Sequence, residues 1–143
     1  MTASAAVRCV LFRAGGERFA LPLEDVREVV LPQPPFARVP RSGAAVRGAM
    51  NLRGRVVPVL DLAVLVGLPG PSLGERDGQV VVLEGQRPGL GLHVAAVLGV
   101  EALTPAAPSE GLARALAASR HGPAALLDAA SVAAAAEAHF GVR

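Results

Sequence analysis

At 143 residues and a net charge of +2, the chain has the length of one domain, enough to bury about two-thirds of its unfolded surface in one core. All 14 basic residues are arginine and only four aromatics, all Phe, are present, which argues against the Lys/Arg clusters with stacking rings used on nucleic acid. The single cysteine, Cys9, excludes an internal disulfide and a cysteine metal cage, and its apolar neighbours make it a buried, inert thiol.

The start, MTASAAVRCV, has neither the charged opening nor the long apolar core of a secretory signal. Apolar runs are broken by Arg, Gly or Pro before membrane-spanning length, so a cytoplasmic protein without direct membrane insertion is expected. Val7 to Arg13 and Arg18 to Leu21 read as a hairpin about Gly15-Gly16. Leu23 to Val26 can form a short helical turn before Arg27 to Leu31 runs extended, and Pro32, Pro34, Pro35 and Pro40 mark an extended loop. Val46 to Arg53 and Val56 to Leu60 flank Gly54 as a second strand pair. Asp61 is placed to cap a short helix from Leu62 to Val66, stopped by Gly67 and Pro69.

Gly70 to Gly78 is a loop, followed by strands at Val80 to Glu84, Leu90 to Val94 and Val97 to Leu103, with turns at Gln86-Arg87-Pro88 and Ala95-Ala96. Thr104 to Gly122, rich in Pro, Ala and Ser, specifies little. Ala124 to Leu127 reads as a last strand, and Asp128 caps an Ala-rich helix to about His139. Many short strands with one or two helices predict a mostly-β barrel architecture. Its core is expected to hold Val10, Phe12, Phe19, Leu21, Val57, Val59, Val82, Leu92 and Val94.

No catalytic or cofactor signature stands out. His93, His121 and His139 are far apart in sequence, no serine occupies a GxSxG elbow, and Gly89 to Gly91 is too short to cradle a phosphate. No enzyme, metal or cofactor is expected. Charge is unevenly spread: residues 1–55 carry nine arginines against four carboxylates, and residues 56–143 five against eight. Such a two-signed surface suits docking to proteins.

Four segments follow one another in a specific order: GGERFALPLEDVREVV at Gly15 to Val30, VRGAMNLRGRVVPVLDL at Val46 to Leu62, GLGLHVAAVLGV at Gly89 to Val100, and AALLDAASV at Ala124 to Val132. Together they resemble the CheW family of chemotaxis coupling proteins over roughly residues 7 to 137. The most specific feature is the NLRG turn followed by the V-P-V-x-D-L corner. The resemblance implies a single CheW-like domain across 1–143, built from two intertwined five-stranded SH3-like β-barrels with an apolar groove between them. It also implies a monomeric adaptor linking the cytoplasmic tip of a methyl-accepting chemoreceptor to the regulatory domain of a CheA-type histidine kinase, within a receptor array.

By the same resemblance, Arg53 lies near a receptor-binding groove with Glu28 as its expected carboxylate partner, and Val30, Met50 and Leu52 are expected to help form that groove. On an extended strand Glu28 would share a face with Val26 and Val30, and Asn51 with Arg53. A guanidinium held by one carboxylate keeps donors for a partner's carbonyls. An ordinary exposed arginine is the alternative. Val94-Ala95-Ala96-Val97 departs from the family's V-D-x-V, which leaves open a specialised relative that binds receptor without recruiting kinase. An SH3-like barrel that binds another apolar peptide or helix is the other alternative.

Overall fold

Residues 5–86, 89–109 and 111–140 are described by a computed structural model. The chain opens as the expected hairpin, β1 (Val7–Ala14) and β2 (Glu17–Pro22), then makes a single 3-10 turn at Leu23–Asp25. It next builds a five-stranded sheet from β3 (Val26–Val30), β4 (Val46–Leu52), β5 (Arg55–Asp61), β6 (Gln79–Leu83) and β7 (Gly91–Val94), in the order β3-β6-β7-β5-β4. The remaining strands, β8 (Ala96–Leu103), β9 (Ala107–Pro108), β10 (Ala113–Ser119) and β11 (Gly122–Leu127), return to the first hairpin in the order β8-β1-β2-β11-β10-β9. The second barrel is thus a contiguous insertion between the two parts of the chain that build the first. The first has six strands rather than five, because the two-residue β9 joins its edge.

Three apolar layers hold these sheets together. Cys9, Leu11, Ala20, Leu103 and Leu126 fill the first barrel, while Met50, Leu52, Val57, Val59, Val80 and Val82 fill the second. Between them lies the largest layer, containing Phe12, Phe19, Leu21, Leu60, Leu92 and Val94. Strands facing two layers are buried on both sides, so β1 and β6 read as continuous apolar runs instead of alternating ones. All nine residues expected in the core are buried, and Phe12 and Phe19 stack with centroids 6.4 Å apart.

Both aspartate caps form. Asp61 Oδ1 accepts from Val64 N at 3.3 Å and starts α1 (Leu62–Leu65); Asp128 Oδ2 accepts from Ser131 N at 3.1 Å and Ser131 Oγ at 2.6 Å and starts α2 (Ala129–Glu137). Helix α2 buries Val132 and Ala136 in the middle layer. The segment that specified little holds β9 and β10. Alanine does not favour strands, yet Ala115 and Ala117 of β10 are buried, and pairing with β11 fixes the backbone. The expected Gln86-Arg87-Pro88 turn lies partly outside the described residues, since positions 87 and 88 are not among them.

Candidate functional site

Strands β4 and β5 are joined by a two-residue turn, Arg53-Gly54, with φ of 51° and 84° and Leu52 opposite Arg55. Positive φ at both central positions is the type I′ geometry that suits a right-twisted hairpin and favours Asn-Gly. Asn51 Oδ1 accepts from Gly54 N at 2.8 Å and locks the turn. Arg53 thus sits on the turn and not on β4 as the sequence suggested; glycine tolerates this conformation, whereas arginine is strained in it.

From there its Nη2 donates to Glu28 Oε2 at 2.5 Å, with the Arg53 side chain 63% exposed and that of Glu28 24% exposed. Strands β3 and β4 are the two ends of the sheet order, so this ion pair spans the open seam of the second barrel.

The surroundings correct part of the expected groove. A register shift between Val26 and Glu28 breaks the alternation, so Val26 packs into the middle layer while Val30 packs against the second barrel's interior. Met50 and Leu52 are 1% and 3% exposed. The two-residue period of β4 turns them inward and Asn51 outward, so they support the seam from beneath and offer a partner no surface. Exposed apolar area comes instead from Leu31, 67% exposed just after β3, and Val56, 66% exposed just after the turn. Sequence reading assigned neither a role, although the two-residue period that buries Val57 and Val59 turns Val56 outward; Leu31, beyond the end of β3, carries no such signal.

Two further groups, His93 and Cys9, are structural. His93 is fully buried, and its Nε2 donates to the Asp77 carbonyl at 2.6 Å. Burial holds its pKa below the ordinary histidine value, against the opposing pull of that carbonyl. Burial likewise raises the pKa of the Cys9 thiol, consistent with an inert packing role. Among the described residues no three His, Cys, Asp or Glu side chains gather closely enough to hold a metal ion, and no helix is long and apolar enough to cross a membrane.

The family model of the CheW-like domain matches residues 8–135. The chain belongs to this CheW-like family. Protein PilI of Pseudomonas aeruginosa is 34% identical over 90 residues, covering 63% of this chain and 49% of that protein. The probable chemotaxis protein CheW of Rhizobium etli is 33% identical over 95 residues, covering 66% and 60%. The chain thus spans about half to three-fifths of the length of these curated relatives. The crystal structure of scaffolding protein TtCheW from Thermoanaerobacter tengcongensis superposes with a TM-score of 0.72 over 89% of this chain and 90% of that one, at 23% identity. That likeness establishes the CheW-like fold of two packed SH3-like barrels. In this CheW-like chain the Arg53 turn and the Glu28 strand are brought together across the second barrel's seam.

Proposed function

We propose that this chain is a non-catalytic adaptor of a chemotaxis-type array in the cytoplasm, coupling the tip of a methyl-accepting receptor to the regulatory domain of a CheA-type histidine kinase. The observation that carries the reading is Arg53, held in a left-handed turn and tied to Glu28 on an otherwise exposed surface. A strained residue kept where Asn or Gly would be relaxed points to a role beyond folding. Membership of the CheW-like family supplies the partner class.

In this reading Leu31, Val56 and the outer edge of Val30 provide apolar contact, and Glu28 orients Arg53 so that its remaining donors meet carbonyls at the end of a receptor helix. Met50 and Leu52 act from the interior by holding the seam's shape. The test is binding of the purified protein to a receptor signalling fragment and, separately, to the kinase regulatory domain. Arg53→Asn should weaken receptor binding by about 1–3 kcal/mol, the usual range for an interface arginine, and leave kinase-domain binding unchanged. Normal receptor binding by Arg53→Asn would make the pair a framework feature.

Ala95, half-buried between β7 and β8 at a position the family often keeps acidic, favours a second reading, a receptor-binding relative that does not recruit kinase. Receptor binding without measurable kinase binding would select it.

A further inference from the structure

The connection from β3 to β4 carries a feature that the adaptor role does not use. Arg38, Arg41 and Arg47 line one cleft of about 610 Å³ together with Phe36, Ser42 and Glu75. Three guanidiniums against one carboxylate give this cleft a net charge of +2. Glu75 makes no ion pair with them: its Oε1 accepts from Phe36 N at 2.9 Å, and the Arg53–Glu28 pair is the only ion pair among the described residues.

The cleft is built rather than incidental. Arg47 is half-buried, and one of its terminal nitrogens donates to the Leu73 carbonyl, which fixes the guanidinium plane. Arg41 is in the left-handed region at φ 55°, one of two non-glycine residues so placed among those described, the other being Arg53. Ser42 Oγ donates to the Val39 carbonyl at 2.7 Å and holds the loop that presents Arg38 and Arg41. Below it, Ala37 and Ala49 exchange backbone hydrogen bonds of 2.7 and 2.8 Å and pin the connection to the edge of β4.

We propose that this cleft binds a small, soluble compound through a phosphate group. A phosphate monoester carries about −1.5 to −2 charges near pH 7 and so matches the cleft's +2, which one carboxylate would half-neutralise. Arginine forks fit phosphate oxygens in pairs. The walls are mostly polar, and none of the large exposed apolar residues, Leu31 and Val56 included, lines them. Its apolar members, Phe36, Val39 and Val46, are each partly buried and outweighed by the charged walls, so an acyl chain or an apolar peptide anchor finds little to bury against, which favours a free phosphate compound over a membrane or a docking peptide.

The test titrates the full chain with inorganic phosphate at constant ionic strength and follows backbone amides by NMR. Saturable shifts confined to residues 36–48 and 73–75 are expected, with affinity at least tenfold lower in the doubly substituted Arg38→Gln, Arg41→Gln protein. Both side chains are exposed, so that variant should keep the native spectrum elsewhere. Parallel arms use vesicles containing phosphatidic acid and a polyglutamate peptide. Saturation by phosphate with loss in the variant supports the site, and vesicle binding lost in the same variant would identify a lipid headgroup as a further source of the phosphate. Polyglutamate binding without phosphate saturation, a response equal to that of chloride, or phosphate binding unaffected by the substitutions would each overturn it.

Discussion

Arg53→Asn separates what the turn needs from what the surface needs. A left-handed conformation costs a non-glycine residue roughly 1–2 kcal/mol, and Asn tolerates it far better than Arg. Against that relief stands loss of the bond to Glu28, but Arg53 is 63% exposed, and exposed ion pairs contribute only about 0–1 kcal/mol. The variant should therefore range from as stable as the parent to about 1.5 kcal/mol more stable. At a urea slope of about 2 kcal/mol/M, that raises the unfolding midpoint by up to about 0.8 M. Glu28→Gln isolates the other half of the balance: it removes the ion pair, leaves the turn strained, and should lower stability by no more than about 1 kcal/mol. Urea titrations of the three proteins at fixed pH and salt measure all of this. A loss of more than about 1 kcal/mol in Arg53→Asn would mean that the ion pair holds the barrel seam closed, and the argument that Arg53 is kept at a structural cost would fail.

Three further perturbations probe the scaffold. Phe19→Ala should lose about 3–5 kcal/mol, because the ring is 7% exposed in the middle layer; a loss below about 1 kcal/mol in denaturant titration would contradict that packing. Gly78→Ala should lose more than about 2 kcal/mol, since a Cβ there would lie 2.0 Å from the Val94 carbonyl oxygen at a φ of +68°, and an unchanged thermal midpoint would refute this close approach. Burial lowers the His93 pKa, so the unfolded chain takes up a proton more readily than the folded one. Its contribution to stability is complete above about pH 6.5 and falls as the pH drops from there toward the lowered native value. Urea midpoints at pH 7.5 and 5.0 should show that loss in the parent and a smaller one in His93→Gln; equal losses would place the proton uptake elsewhere.

The strands of the two hairpins, both aspartate-capped helices and the nine core residues were legible in the sequence because each rests on local chemistry: apolar runs, glycine turns and a carboxylate ahead of a helix. The segment patterns around NLRG were equally readable as a family resemblance. Tertiary structure alone decided the rest. Strand β10, written as ARALAAS, has little preference for an extended backbone and is held by its ladder to β11. The bulge that separates Val26 from the face of Glu28 arises in pairing with β6, and no residue spacing announces it. Met50 and Leu52 differ from Leu31 and Val56 by which layer each strand face meets, not by residue type, so the chain alone could not tell interior support from exposed contact. The bond between Arg53 and Glu28 spans the seam between the first and last strands in sheet order, a proximity created by barrel closure across 25 positions of sequence.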